Sequence, residues 1–229
     1  MMPVFEKRRI GRTSLEVTAL GLGCATLGAS RINVSREEAE AIVSAAWAAG
    51  VRYIDTAPYY GFGRAERCVG DAMRGVPRDE WVLSTKVGRL LCPRVTPAET
   101  AQDQHQMPFD AVYDYSYDGI MRSFEHSLQR LGLARIDILY VHDIGAYQHG
   151  AAAPQHVQTL RESGYRALES VKRSGTVGAI GIGVNERAAR GDGMGRLGRV
   201  PAGRPGGRRR APASSPRPRP WHRRRSSSG

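Results

Sequence analysis

Val51-Arg52-Tyr53-Ile54-Asp55-Thr56-Ala57-Pro58-Tyr59-Tyr60-Gly61 is a stretch in which an apolar strand pattern stops at a carboxylate and continues into an aromatic loop. Two later strand patterns stop in a similar way. Residues 81–86 end in Lys86, and residues 136–141 are followed by His142. Because the carboxyl ends of parallel strands lie on one face of an α/β fold, we expect these polar groups to converge there.

The first 186 residues alternate between strand and helix patterns. Ser35-Arg36-Glu37-Glu38 resembles a capping box and predicts a helix that runs through Ala49 and stops at Gly50. The other predicted elements are a hairpin in residues 4–18, strands at 19–23, 51–55, 81–86, 136–141 and 177–182, and helices at 65–74, 117–131 and 156–174. This alternation predicts an α/β fold with a parallel sheet and about five β/α units.

Several of these motifs resemble the aldo-keto reductase family. Asp55-Thr56-Ala57-Pro58-Tyr59-Tyr60-Gly61, followed by Ser84-Thr85-Lys86 and Tyr140-Val141-His142, looks like the Asp, Tyr, Lys, His tetrad of that family. Residues 85–91 and 135–143 are similar to the branch with L-fucose (D-threo-aldose) 1-dehydrogenase and pyridoxal 4-dehydrogenase. The resemblance covers residues 4–186. It implies a (β/α)8 TIM barrel, here incomplete because strands six to eight have no candidate.

The resemblance also implies a chemical role for each member of the tetrad. Hydride transfer between a nicotinamide ring and a carbonyl carbon needs a proton at the carbonyl oxygen. A free tyrosine is a weak acid, and a nearby ammonium favours its phenolate form. Tyr60 is therefore expected to act as general acid or base, Lys86 to assist it, Asp55 to hold Lys86, and His142 to hydrogen-bond the substrate oxygen.

The expected cofactor is NAD or NADP, which carries the hydride chemistry. Expected contacts with it are Gly23, Asp55 and Asn185. Asn185 resembles the family's asparagine that binds the nicotinamide carboxamide, although the usual Gly-Val-Ser-Asn appears here as Gly181-Ile182-Gly183-Val184-Asn185, without the serine. Gly23 equally fits a small-residue strand end, because Gly21-Leu22-Gly23 lacks the third glycine of a Rossmann fingerprint.

Residues 89–118 are predicted to form a long loop, and loops of this length often bind substrate. Its aromatic residues Phe109, Tyr113, Tyr115 and Tyr117 are suited to wall a small carbonyl or sugar substrate. The alternation of Tyr113, Tyr115 and Tyr117 equally fits a short edge strand over the barrel mouth. The implied reaction is oxidation of an aldose to a lactone, with oxidation of pyridoxal as the alternative.

Residues 187–229 differ in composition from the rest. They hold thirteen arginines and one acid, Asp192, so they carry the whole +12 charge of the chain and leave residues 1–186 neutral. Segments rich in Arg, Pro, Gly and Ser are expected to be disordered. One hypothesis is a non-catalytic protein whose basic tail binds nucleic acid. The favoured alternative is an out-of-frame translation of GC-rich DNA that begins near Glu186.

The chain is thus predicted to consist of a partial barrel, residues 1–186, and a tail, residues 187–229. In this family the loops after strands seven and eight hold the adenosine end of the cofactor. An arc of five strands also leaves two edge strands unpaired. We therefore expect the chain to be unstable or aggregation-prone and its dehydrogenase activity to be impaired.

The cysteines and the hydropathy pattern indicate a location in the cytoplasm. The three cysteines, Cys24, Cys68 and Cys92, are odd in number and form no CxxC pair, which suits a reducing compartment. No apolar run has the length of a transmembrane helix or the form of a signal peptide, so no membrane partner is expected. The histidines lack the spacing of metal ligands, and no metal is expected.

Overall fold

A computed structural model of the chain describes residues 6–28, 34–95 and 107–185. The described residues all belong to one unit of the chain, Met1–Leu197. The predicted boundary after residue 186, the predicted disordered tail and the out-of-frame hypothesis lie outside the described residues.

The amino-terminal part confirms the predicted hairpin. Strand β1 (Lys7–Arg9) pairs antiparallel with β2 (Glu16–Thr18). The first barrel strand, β3, spans only Leu22–Gly23, so it is shorter than the predicted residues 19–23. A short 3-10 helix, Ala25–Gly28, follows it.

Helix α1 (Arg36–Ala48) begins with the predicted capping box. The Glu38 backbone N–H donates to Ser35 Oγ at 3.1 Å, and the Ser35 backbone N–H donates to Glu38 Oε2 at 2.7 Å. Two amide groups that would otherwise lack a partner at the helix start are thereby satisfied.

The remaining elements follow in chain order. They are β4 (Tyr53–Asp55), α2 (Arg64–Ala72), β5 (Val82–Val87), β6 (Arg89–Pro93), β7 (Phe109–Tyr113), α3 (Tyr117–Leu131), β8 (Ile136–His142), α4 (Ala146–His149), α5 (Ala153–Thr159), α6 (Tyr165–Arg173) and β9 (Val177–Gly183).

Five parallel strands form the main sheet in the order β3-β4-β5-β8-β9. Each strand pairs with the next barrel strand along the chain, in parallel. This is the order expected of consecutive β/α units in a barrel, so the prediction of about five units is confirmed. Within the part of the chain that the structure describes, β3 and β9 are the edge strands.

The core lies between this sheet and the helices that follow its strands. Its largest fully buried apolar side chains include Leu83, Ile120, Leu139 and Leu160. Each contributes about 1.5–3 kcal/mol when it leaves water. This packing fixes the strands and therefore the side chains at their carboxyl ends.

One buried carboxylate connects three elements of the core. Glu66 of α2 is fully buried and accepts hydrogen bonds from Thr85 Oγ1 of β5 at 2.7 Å and from Arg130 Nε of α3 at 2.6 Å. The Glu66–Arg130 ion pair holds both helices against the strand that carries Lys86.

The prediction of an irregular loop over residues 89–118 is wrong in part. Strands β6 and β7 form an antiparallel hairpin within it. Gly88, with φ of 97°, turns the chain between β5 and β6, a conformation that favours glycine. The alternative of an edge strand through Tyr117 is also wrong beyond Tyr113, because Ser116 caps α3 and Tyr117 is its first residue.

The predicted helix at residues 156–174 is confirmed, and it contains one π-helical turn. Helices α5 and α6 are separated by a π-helical turn, Leu160–Gly164. At this widened turn Ser163 Oγ accepts a hydrogen bond from the Tyr117 backbone N–H at 2.9 Å, which connects the turn to the start of α3.

No helix among residues 6–28, 34–95 and 107–185 is both long enough and apolar enough to cross a membrane.

Candidate active site

The tetrad residues occupy the carboxyl edge of three neighbouring strands. Asp55 is the last residue of β4, His142 is the last residue of β8, and Lys86 is the penultimate residue of β5. Tyr60 lies in the turn between β4 and α2. The structure therefore brings together the four residues that the sequence indicated.

Lys86 and Asp55 form an ion pair at this edge. Lys86 Nζ donates to Asp55 Oδ2 at 2.7 Å and to the Thr56 carbonyl oxygen at 2.9 Å. The other carboxylate oxygen, Asp55 Oδ1, accepts a hydrogen bond from Ser84 Oγ at 2.5 Å. Both oxygens of Asp55 are thus engaged, and the ammonium group is fixed in direction.

The Tyr60 ring lies beside both Lys86 and His142. Its centroid is 4.6 Å from Lys86 Nζ and 6.0 Å from the centroid of the His142 ring, with the two rings nearly perpendicular. The following residue, Gly61, has φ of 64°, and a side chain on it would collide with Gly28. The turn that carries Tyr60 is therefore packed against the turn after β3.

His142 is a neutral imidazole. Burial, and then the positive charges of Arg89 and Lys86, lower its pKa to about 2. Its Nδ1 is buried and has no hydrogen-bond partner among the described residues. A buried polar atom of this kind suits a site that hydrogen-bonds a bound molecule. A neutral ring can bind a carbonyl oxygen without adding a charge to the pocket.

Two charged residues beside His142 were not predicted from the sequence. Arg89 Nη2 donates to Asp143 Oδ2 at 2.7 Å, and the Arg89 side chain is only 2% exposed. Asp143 Oδ2 is also 3.4 Å from His142 Nε2. The available signals were an arginine immediately before the apolar Leu90-Leu91 pair and an aspartate immediately after His142.

The expected cofactor contacts lie on the same edge of the sheet. Gly23 pairs with Asp55, and a Cβ atom at Gly23 would meet no atom within 4 Å. Asn185 is exposed just after β9, and its Nδ2 donates to Asp143 Oδ1 at 3.2 Å. An open backbone position and an exposed amide beside the tetrad fit a nicotinamide group, which has an amide of its own.

The four predicted aromatic residues do not form one wall. Tyr115 is buried, and its hydroxyl donates to the His142 carbonyl oxygen at 2.8 Å. Burial also raises the pKa of Tyr115. Tyr113 contacts the ring of His149, while Tyr117 starts α3. Phe109 lines a separate groove of about 480 Å³ with Arg130.

The aromatic side chain that does face the tetrad is Tyr59, which was not predicted to do so. It is 41% exposed, and its ring centroid is 6.4 Å from that of His142 and 4.2 Å from Arg89 Cζ. Its position follows from its place next to Tyr60 in the turn after β4. Tyr59 therefore presents an exposed ring beside the tetrad.

The described residues include Cys24, Cys68 and Cys92. All three are free thiols. Burial, followed by the charge of Asp55, raises the pKa of Cys24 to about 12, so its thiol is a poor nucleophile. The described residues contain no group of three or more His, Cys, Asp or Glu side chains that could hold a metal ion.

Two curated proteins with similar sequences are both named as dehydrogenases. Over 193 residues the chain is 46% identical to pyridoxal 4-dehydrogenase from Microbacterium luteolum. This alignment covers 79% of this chain and 56% of that protein. The chain is 43% identical over 175 residues to D-threo-aldose 1-dehydrogenase from Pseudomonas sp, which covers 74% and 50%, respectively. The chain thus spans about half the length of the curated relatives it matches.

The fold comparison agrees with these relatives. The holo form of an aldo-keto reductase from Bacillus halodurans matches with a TM-score of 0.62 and 27% sequence identity, over 81% of this chain and 52% of that chain. This confirms the predicted TIM-barrel fold. Residues 19–197, a range that includes the whole tetrad, match the family model described as the Aldo/keto reductase family. The chain belongs to the aldo/keto reductase family.

Proposed function

We propose that this site is that of an NAD(P)-dependent oxidoreductase, which transfers a hydride between a nicotinamide cofactor and the carbonyl carbon of an aldose or aldehyde. The arrangement around Lys86 carries the proposal. The ammonium is held by Asp55 and the Thr56 carbonyl, and the Tyr60 ring centroid lies 4.6 Å from it. A tyrosine beside a fixed ammonium is suited to exchange a proton with a substrate oxygen.

Each residue has one task in the proposed reaction. Tyr60 takes a proton from the substrate hydroxyl during oxidation and returns it to the oxygen during reduction. Lys86 places a positive charge beside the Tyr60 ring, and Asp55 holds Lys86 in place. His142 hydrogen-bonds the same oxygen as a neutral ring and limits its orientation.

The cofactor, when bound, accepts or supplies the hydride. Among the residues of this chain, Asn185 is proposed to hydrogen-bond its carboxamide. Gly23 and Asp55 are proposed to border the nicotinamide ring, because both lie at the same level of the sheet. Both NAD and NADP remain candidates.

For the substrate, we propose oxidation of an aldose to its lactone. Tyr60 would take the proton of the hemiacetal hydroxyl, and a bound oxidised nicotinamide would accept the hydrogen of C1 as hydride. The 43% identity to an aldose 1-dehydrogenase supports this reaction. The alternative, oxidation of pyridoxal, is supported by the 46% identity to pyridoxal 4-dehydrogenase and by the exposed ring of Tyr59, which offers a stacking surface.

A single-turnover assay tests this function. Protein at a concentration equal to that of NAD or NADP is mixed with aldoses or with pyridoxal, and formation of the reduced nicotinamide is followed by absorbance. This design detects an impaired enzyme as well. We expect the unmutated chain to reduce the cofactor. Tyr60→Phe, which keeps the ring and removes the hydroxyl, should not reduce it. The same slow rate in both proteins would contradict the proposed function.

A second proposal concerns the basic residues 187–229. Their charge of +12 favours binding to a polyanion, and for that reason a nucleic-acid partner is kept as the competing function. In that case binding to DNA or RNA falls steeply with salt and is lost when residues 187–229 are deleted. We further propose that residues 1–186 are the catalytic unit and that the protein is located in the cytoplasm. If residues 1–186 are the catalytic unit, Tyr60-dependent turnover is retained when residues 187–229 are deleted.

A further inference from the structure

An arginine and an aspartate from distant parts of the chain form a buried ion pair next to the tetrad. Arg89 is the first residue of β6, and Asp143 directly follows β8. Only 2% of the Arg89 side chain and 11% of the Asp143 side chain are exposed. Because removal of two ions from water is unfavourable, a buried pair of this kind is weak evidence for stability and invites a functional explanation.

Each carboxylate oxygen of Asp143 lies close to a residue of the proposed site. Asp143 Oδ2, which accepts from Arg89, lies 3.4 Å from His142 Nε2. Asp143 Oδ1 accepts from Asn185 Nδ2 at 3.2 Å. One carboxylate therefore contacts the residue proposed for the substrate oxygen and the residue proposed for the cofactor amide.

Arg89 in turn is held from several sides. Its guanidinium lies 4.2 Å from the ring centroid of Tyr59 and 5.3 Å from that of Tyr113, and Nη2 also donates to Gln148 Oε1 at 3.3 Å. These contacts join the hairpin, the turn that carries Tyr60 and helix α4. A guanidinium fixed in this way gives Asp143 one orientation.

The backbone of Asp143 is constrained as well. Its φ is 41°, in the left-handed region that non-glycine residues rarely adopt. Its N–H donates to the Gly183 carbonyl oxygen at 2.8 Å, across from β8 to β9. Such a conformation persists where the surrounding contacts determine it, and it is common at functional sites.

We propose that Arg89 and Asp143 are positioning residues that fix the His142 ring and the Asn185 amide relative to each other. In this way they align the substrate oxygen with the nicotinamide end of the cofactor. This inference rests on the proposed function for its consequence, but the geometry that it predicts is measurable without catalysis.

The charges around His142 provide a readout that a purely structural role would not affect. The groups that face its ring are the cations Arg89 and Lys86, the anion Asp143, and the phenols Tyr59 and Tyr60. Loss of the Arg89 charge leaves Asp143 unpaired beside the ring. The pKa of His142 should then rise, because a cation that disfavours the imidazolium is removed and an unpaired anion is left beside the ring.

The test uses the full chain with labelled histidine, whose His142 signal is identified by its absence in His142→Gln. NMR spectra recorded at neutral pH should show a change in the ring signals of His142 in Arg89→Met, because the ring loses a neighbouring cation and Asp143 loses the partner that orients it. The matched control is Arg94→Met, because Arg94 pairs with Asp110 at 3.1 Å beside the same hairpin and its other described contacts are with Phe62 and the Phe109 carbonyl oxygen, not with the tetrad. Unchanged His142 ring signals in Arg89→Met, or the same change in Arg94→Met, would overturn the proposal.

Two milder variants test the link to Asn185. In Asp143→Asn and in Arg89→Lys, the side-chain amide signals of Asn185 should shift, and the Kd for reduced nicotinamide cofactor, measured by its fluorescence, should rise about tenfold. Unchanged amide signals in both would overturn the proposal even if Arg89→Met does not fold. If the unmutated chain binds no cofactor, the proposed function fails, while the two NMR readouts still decide the geometry.

Discussion

Lys86 Nζ lies 2.7 Å from Asp55 Oδ2, across two adjacent parallel strands, with only 8% of the lysine side chain exposed. The ammonium has a second acceptor in the Thr56 carbonyl, and the aspartate has a second donor in Ser84. Because each partner is held twice, the ion pair has one geometry. That geometry sets the position of the charge beside Tyr60.

The first prediction concerns loss of this charge. Lys86→Met keeps the length of the side chain but removes the ammonium from Tyr60 and Asp55. We expect the rate of hydride transfer to fall about 10²- to 10⁴-fold, the usual contribution of acid–base catalysis. Single-turnover absorbance measures this rate. A variant that retains the full rate would contradict the assigned role of Lys86.

The second prediction concerns pH and His142. The pKa of His142 is about 2 in the folded chain and near 6.5 in the unfolded chain. Below pH 6.5 the unfolded chain therefore binds a proton that the folded chain does not, and stability falls as pH falls. Between pH 7.5 and pH 5 this one group lowers the free energy of unfolding by about 2 kcal/mol.

His142→Gln isolates that contribution, because all other titrating groups stay the same. Urea unfolding measures the drop in the free energy of unfolding between pH 7.5 and pH 5. This drop should be about 2 kcal/mol smaller in the variant than in the unmutated chain. If the two proteins lose the same stability over this range, His142 is not held neutral by its surroundings.

The third prediction compares two acidic residues of helix α2. Glu66 is fully buried with Thr85 and Arg130 as partners, so Glu66→Ala leaves the half-buried guanidinium of Arg130 without its anion. We expect a loss of about 3–5 kcal/mol. Asp71 pairs with Arg36 and Arg74 at the surface, and Asp71→Ala should cost less than about 1 kcal/mol. Urea unfolding of both variants measures the difference. Equal losses in the free energy of unfolding would show that Glu66 stabilises the fold no more than the surface residue Asp71 does.

The fourth prediction concerns the turn that carries Tyr60. Gly61→Ala places a side chain at positive φ and against Gly28, whereas Gly175→Ala, at φ of 81°, meets no atom within 4 Å. The control should cost about 1–2 kcal/mol for its backbone alone. Gly61→Ala should cost about 1–3 kcal/mol more, because its surroundings are closely packed, and it should displace Tyr60. Thermal unfolding and single-turnover rates measure both effects; a Gly61→Ala variant as stable and active as the control would contradict them.

The tetrad could be predicted from the sequence for a physical reason. Asp55, Lys86 and His142 each lie where an apolar strand pattern meets a polar residue, and parallel strands bring such positions to one edge. The Ser35 capping box could be predicted because its hydrogen bonds span only three residues. Local patterns therefore specified both the sheet and the first helix.

Other features depend on contacts that no local pattern contains. Arg89 and Asp143 are 54 positions apart, and each alone has the pattern of a solvated charge. Tyr115 looked like part of an alternating strand, yet its hydroxyl bonds to the His142 carbonyl, 27 positions away. The hairpin of β6 and β7 was missed because pairing with a distant segment, rather than propensity, determines it.

The most direct measurement for the central claim is transfer of isotope from substrate to cofactor. Aldoses deuterated at C1, and pyridoxal deuterated at its aldehyde carbon, are incubated with the full chain and oxidised cofactor, and the reduced nicotinamide is analysed by mass spectrometry. The proposed role of the Asp55, Tyr60, Lys86 and His142 site predicts deuterium on the nicotinamide with the unmutated chain and none with Tyr60→Phe. Absence of deuterium with both proteins, or equal amounts with both, would contradict it.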